Sequence, residues 1–159
     1  MANSALRLLH ITDTHLFAAT DGRLRGVDTY RTLSRVLDRA AADPRPAEAI
    51  LVTGDVSQDE TPGAYRNFRA LLSRLDLPVW CVPGNHDAPA FMGEALDPPF
   101  HLGGVMERGG WRVIPLNSHI PGDNGGRLSP GELERLDAML RQHPDRPVLL
   151  AVHHHPLPL

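Results

Sequence analysis

Four short polar clusters carry the residue types in this sequence that can do chemistry. They are Asp13 and His15; Gly54 and Asp55; Gly84, Asn85, His86 and Asp87; and the run His153, His154, His155. Carboxylates and an amide offer hard oxygen and the histidines offer imidazole nitrogen. A mixed set without thiolate suits Mn, Fe or Zn better than Ca or a structural zinc. Asp13 and His15 lie two apart, and in an extended segment such side chains point to the same side, so both can reach one ion. Gly54 permits a sharp turn before Asp55, leaving a carboxylate whose two oxygens could bridge two cations. Asn85 offers an uncharged oxygen ligand, while His86 beside it points elsewhere, free to meet a substrate. Asp87 is placed to orient that imidazole and raise its basicity.

Each cluster has a bland reading when taken alone. Asp-x-His and Gly-Asp are common in turns, Pro-Gly-Asn-His-Asp could be a capped turn, and a histidine run could be a solvated loop. What argues against coincidence is their placement, because each follows a short apolar run of strand length. These runs are Leu6 to Ile11, Ala49 to Thr53, Val79 to Val82 and Val148 to Val152, and all four read as buried strands. In an open α/β sheet, ligands bind at the carboxyl ends of the strands, so four segments distant in sequence would converge on one patch.

The elements between the clusters fit that arrangement. A fifth run, Trp111 to Leu116, is expected to pair with Val105 to Arg108 across Gly109-Gly110 as a hairpin. Leu33, Val36, Leu37 and Ala40 keep helical spacing behind an N-cap at Asp28, in a helix ending near Pro44. Thr61 caps a second helix with Pro62 in its first turn and Tyr65, Phe68, Leu72 and Leu75 as its inward stripe. Ser129 and Glu132 have capping-box spacing, each satisfying the other's backbone donor, ahead of Leu133, Leu136 and Leu140 in a third helix that stops before Pro144. Pro83 to Gly84, Pro98 to Gly104 and Pro121 to Gly126 read as turns and loops. Helices between strands imply mostly parallel pairing, hence an α/β domain.

Composition removes several classes of function. The 159 residues, 42% hydrophobic and 22% charged, fit one globular domain. A net charge of −3 builds no broad basic field, so nucleic acid is not expected as a partner. No apolar run approaches the about 18 to 20 residues that cross a bilayer, and no signal sequence is evident, so neither membrane insertion nor export is expected. The single cysteine, Cys81, excludes an intramolecular disulfide; with a reducing compartment as the simplest reading, the protein is expected in the cytoplasm. A nucleophilic pair of Ser118 and His119 is disfavoured, since neighbours in a strand face opposite sides and no Gly-x-Ser-x-Gly elbow exists.

ITDTHLF at Ile11 to Phe17, GDVSQDET at Gly54 to Thr61, PGNHD at Pro83 to Asp87 and HHHPLP at His153 to Pro158 resemble, in this order, the calcineurin-like metallophosphoesterases. The similarity covers nearly the whole chain. Flanking segments such as LRGVDT at Leu24 to Thr29 make the bacterial class III 3',5'-cyclic-AMP phosphodiesterases the nearest branch. The resemblance implies an α/β/β/α sandwich of two sheets between helix layers, and two divalent or trivalent metal ions, Fe, Mn or Zn. Asp13 and His15 would bind one metal, Asp55 would bridge both, and Asn85 with a histidine of the last cluster would bind the second. His153, the first residue past the strand, is preferred for that place, although register does not exclude His154. His86 would be catalytic, acting on the phosphate, so the groups facing substrate would be His15, Asp55, Asn85 and His86.

The implied reaction is hydrolysis of a small phosphodiester, cyclic AMP to 5'-AMP, in which two cations about 3.5 to 4 Å apart activate a hydroxide for in-line attack on phosphorus. The alternatives are another phosphodiester or phosphomonoester as substrate, or a non-catalytic metal-binding fragment. Arg23 and Arg25, after the first motif, could meet a nucleotide, but loop arginines usually face solvent. Family members continue to a Gly-His-x-His segment that gives each metal one more ligand, and no such segment occurs before Leu159. On the resemblance, residues 1–159 are therefore expected to be the N-terminal part of the domain. They would have an incomplete second sheet, an exposed edge and apolar surface, and impaired activity.

Overall fold

A computed structural model describes residues 5–156. The chain runs β1 (Leu8–Ile11), β2 (Arg23–Leu24), β3 (Val27–Asp28), α1 (Thr29–Ala41), β4 (Ala49–Thr53), α2 (Pro62–Leu72), β5 (Val79–Val82), α3 (Pro89–Ala95), β6 (Phe100–Leu102), β7 (Met106–Arg108), β8 (Trp111–Pro115), α4 (Pro130–Gln142) and β9 (Val148–Ala151). The first sheet, in the order β1-β4-β5-β6, is parallel throughout. The second, β7-β8-β9, joins an antiparallel hairpin to a parallel strand.

Alternation along the strands separates two cores. Ile50 and Val52 of β4, with Val79 and Cys81 of β5, face α1, α2 and α3 and pack on Leu37, Tyr65, Phe68 and Met92. The intervening Ala49 and Leu51 face Met106, Val113 and Ala151 of the second sheet. On that sheet's far side, buried Arg112 of β8 donates to the Met139 carbonyl of α4. The layers therefore run helices, sheet, sheet, helix, which is the expected α/β architecture.

The helix starts follow the expected chemistry, with one exception. Asp28 accepts from Arg31 N at 2.9 Å, and Thr61 and Ser129 accept from Ala64 N and Glu132 N. Asp28→Ala should therefore cost about 1 kcal/mol, read as a lower urea midpoint at unchanged slope; an unaltered midpoint would remove the cap from the account. At α4 the box is only half made. Instead of returning to Ser129, Glu132 accepts from Asn117 N at 2.9 Å and pairs with Arg135, whose guanidinium also reaches the Pro115 carbonyl. Glu132 thus joins α4 to the end of β8, a tertiary use that outcompetes the local one.

Other expectations need correction. Strand β9 is not buried, since Leu149 and Leu150 are exposed, as are Leu133 and Leu140 of α4. It forms one edge of the three-stranded sheet, so neither of its faces is fully covered. Val36 is also exposed, leaving Leu33 and Leu37 to anchor α1. The second helix proper ends at Leu72, and Leu75 belongs to the short 3-10 turn Ser73–Leu75. The Pro98 to Gly104 stretch contains β6, a strand of three residues stabilised by pairing with β5.

Candidate metal centre

The four polar clusters meet at the carboxyl ends of β1, β4, β5 and β9. Asp13 N donates to the Gly54 carbonyl at 3.1 Å and His15 N to the Asp55 carbonyl at 2.9 Å, so the segment after β1 lies alongside the exit of β4. That segment is not extended. Asp13, His15 and Asp55 have φ of 55°, 44° and 49°, in the left-handed region that non-glycine residues seldom occupy. Asp13 and His15 converge because these turns are pinned to the β4 loop. Backbone strain of this kind persists only where surrounding contacts over-determine it, and it clusters at functional sites.

Two glycines let the strand ends approach. A Cβ on Gly54, whose φ is +88°, would lie 2.5 Å from His153 Nδ1 and 2.7 Å from the Gly84 backbone. A Cβ on Gly84 would lie 2.1 Å from Asp55 Oδ1. Asp55, almost fully buried, divides its carboxylate between two neighbourhoods: Oδ2 is 3.7 Å from His15 Nε2, and Oδ1 is 3.5 Å from His153 Nε2. His15 Nε2 is also 3.9 Å from Asp13 Oδ1. These gaps are too long for hydrogen bonds, and ligand atoms of Asp13, His15 and Asp55 all fall within 4.8 Å of one another.

The second neighbourhood is more informative. His153 Nδ1 lies 2.7 Å from the Thr53 carbonyl, which can only accept, so Nδ1 carries a proton and Nε2 is the ring nitrogen left to face the centre. Nε2 faces Asn85 Oδ1 at 3.2 Å and Asp55 Oδ1 at 3.5 Å. His153 Nε2, Asn85 Oδ1 and Asp55 Oδ1 thus converge, an arrangement that a cation bound to an unprotonated Nε2 would stabilise. A histidine ligand whose other nitrogen donates to a carbonyl is the usual supporting arrangement in metal sites. The residues present therefore fit the implied metals.

His86 stands beside these atoms and not among them. Its backbone N–H donates to Asp55 Oδ1 at 3.0 Å, and its ring meets His15 edge-on at 5.2 Å between centroids. Asp87 does not orient the His86 imidazole. It is buried and accepts from Val56 N, Ser57 N, Gly84 N and the Tyr65 hydroxyl. Burial raises the Asp87 carboxyl pKa against the opposing pull of these donors. His154 turns away to Ser118 Oγ at 2.8 Å, and burial, aided by neighbouring His153, lowers its pKa. Ser118 is itself buried, unlike an accessible nucleophile. Leu157 and Pro158 of the last motif lie outside the described residues.

Nothing in the sequence signals the Thr53 carbonyl as a partner of His153, or His119 Nδ1 resting on the Gly84 carbonyl at 2.9 Å. Pairs joining backbone carbonyls across 100 and 35 residues have no local signature. The β2–β3 hairpin likewise has no clear signature in the sequence. Its two central residues, Arg25 and Gly26, both have positive φ, as a tight hairpin turn requires. With α1 the hairpin walls a groove of about 540 Å³ that opens on Asp13 and His15 and is lined by Leu24, Arg25, Val27 and Thr32. Arg23 donates to the Gly26 carbonyl within the hairpin. A larger groove, about 810 Å³, lies at the other end of the first sheet, between Leu6–Leu9 and Ala40–Ala47, away from the polar cluster.

A family profile described as calcineurin-like phosphoesterase matches residues 6–158. Among curated proteins, the 3',5'-cyclic adenosine monophosphate phosphodiesterase CpdA of Pseudomonas aeruginosa is 36% identical over 99% of this chain and 58% of its own length. A 3',5'-cyclic-nucleotide phosphodiesterase of Nostoc is 36% identical over 96% of this chain and 58% of its own. A probable glycerophosphodiester phosphodiesterase, GpdQ, of Arcobacter nitrofigilis is 31% identical over 94% of this chain and 57% of its own. The chain thus spans under three fifths of the length of these relatives. Among the described residues, no helix is long and apolar enough to cross a membrane.

Proposed function

The chain belongs to the calcineurin-like phosphoesterase family, and on that premise we propose that the protein of which it forms all or part hydrolyses a small phosphodiester, 3',5'-cyclic AMP to 5'-AMP, in the cytoplasm. The observation that carries this reading is the convergence of lone pairs from His153, Asn85 and Asp55 beside the Asp13, His15 and Asp55 set. Asp13, His15 and Asp55 would hold one cation, and Asp55, Asn85 and His153 the other. Such a pair of Fe, Mn or Zn ions, when bound, lowers the pKa of water and neutralises phosphate charge.

The chain's own groups do the rest. Asp55 sets the spacing of the two halves through its separate oxygens, and Thr53 holds His153 in the tautomer that leaves Nε2 free. His86, unattached to the carboxylates through its ring, faces the phosphate. It stabilises charge on a phosphoryl oxygen or gives a proton to the leaving oxygen. The groove beside Asp13 and His15 has room for the organic part of the ester.

In a protein long enough to match its relatives end to end, His86→Ala should lower kcat by about 10² to 10⁴ with metal content unchanged. Metal lost in step with activity would make His86 a ligand instead. Release of 5'-AMP from cyclic AMP in the presence of Mn tests the substrate. The similarity to a glycerophosphodiester phosphodiesterase supports a second substrate reading, and turnover of glycerophosphodiesters without cyclic AMP hydrolysis would favour it. Failure to hydrolyse any phosphoester would overturn both.

A further inference from the structure

We infer that Asp87, with Tyr65 behind it, is a positioning residue that fixes the spacing between the Asp55 loop and the Asn85–His86 loop. The inference rests on the metal-site reading above and assigns a role to a carboxylate outside the ligand set. Asp87 is only 3% exposed, and its two oxygens accept along five directions. Oδ1 takes Val56 N at 3.1 Å, Ser57 N at 3.1 Å and the Tyr65 hydroxyl at 3.1 Å. Oδ2 takes Gly84 N at 2.9 Å and Val56 N at 3.2 Å. The Tyr65 hydroxyl, having donated to Asp87, accepts from Ala88 N at 2.7 Å.

Val56 and Ser57 directly follow Asp55, while Gly84 directly precedes Asn85. One carboxylate therefore ties together the backbones on which two candidate ligands stand, and α2 braces it through Tyr65. The His86 N–H to Asp55 Oδ1 bond runs across the same gap at 3.0 Å. Among the described residues, no cationic side chain pairs with Asp87; its partners are backbone N–H groups and the Tyr65 hydroxyl. An ion pair is thus not what holds it in the interior; a fan of neutral donors does. A carboxylate is needed here because it alone among side chains of this size offers only acceptors, on two oxygens. Asparagine would set its NH₂ against a backbone N–H on one side.

The test compares Mn titration and amide hydrogen exchange in the unsubstituted protein, Asp87→Asn, Tyr65→Phe and a core control, Phe68→Leu. Each is measured at the same interval below its own melting temperature. Asp87→Asn should weaken Mn binding about 10- to 100-fold, the range seen when a supporting partner of a metal ligand is lost. The Gly84 and His86 amides should exchange faster while core amides of β4 and β5 do not. Tyr65→Phe, which removes one donor, should show a smaller change of the same kind and serves if Asp87→Asn does not fold. Phe68→Leu should lower the melting temperature with Mn affinity unchanged. Equal Mn affinity in Asp87→Asn and Phe68→Leu, or unchanged exchange at His86, would overturn the inference. Absence of Mn binding by the unsubstituted protein would instead overturn the metal reading, and exchange at His86 then decides the clamp by itself.

Discussion

Asp55→Ala is expected to abolish metal binding outright, because this one carboxylate faces both halves of the centre. Its Oδ2 looks to His15 and its Oδ1 to His153. Removing Asp13 should cost the first ion only, whereas removing Asp55 should cost both, and hydrolysis in a full-length protein should fall to that of the metal-free form. The effect on folding should be smaller than that of the usual core substitution. Without a cation, Asp55 holds a nearly buried charge close to the Asp13 carboxylate and the lone pairs of Asn85 and His153. Its removal should leave the melting temperature of the metal-free protein almost unchanged. What should vanish is the stabilisation by added metal, about 2.7 kcal/mol when the ion is at 100 times its dissociation constant. Elemental analysis and melting curves with and without Mn check both parts, and a variant that keeps either ion would refute the bridging role.

Gly84→Ala should do comparable damage from a residue with no side chain. The added Cβ would fall 2.1 Å from Asp55 Oδ1 and 2.5 Å from Asp55 N, so the Asp55 loop must move or the β5 exit must. Gly84 lies outside the left-handed region, so the penalty is steric and not conformational. Overpacking of this kind costs about 1 to 3 kcal/mol, which a folded domain can survive. The displaced carboxylate cannot serve either ion. The expected outcome is a folded protein with a modestly lower denaturant midpoint and no measurable Mn affinity. Wild-type Mn affinity in Gly84→Ala would mean that the two loops are not packed as tightly as described.

How far the sequence foretold the site depends on how local each determinant is. The convergence of Asp13, His15, Asp55, Asn85 and His153 was legible because each cluster follows an apolar run of strand length, and parallel strands deliver their ends to one edge. Why Asp13 and His15 point together is not legible in the sequence. Extended geometry suggested it, but left-handed turns pinned to Gly54 and Asp55 produce it, and those bonds join residues far apart in sequence. Asp87 was read through its neighbour His86 because adjacency is all a sequence displays. Besides nearby Gly84, its partners are Val56, Ser57 and Tyr65, which only folding brings near. Strands β2, β3 and β6 were missed for a related reason. At two or three residues they are too short for alternation to show, and pairing with a neighbour creates them.

The hydrogen bond from His153 to Thr53 spans 100 residues of chain, whereas Thr12 reaches the same carbonyl across 41. Closing the longer loop costs only about 0.8 kcal/mol more on the logarithmic scale of chain entropy, but contacts of such wide separation slow folding as a whole. The carboxylate face built on β1, β4 and β5 can assemble from the first half of the sequence as it leaves the ribosome. The imidazole that closes the other side follows β9, the edge strand of the second sheet. The centre thus depends on the docking of two sheets: the first supplies an open acidic cup, the second its far histidine wall.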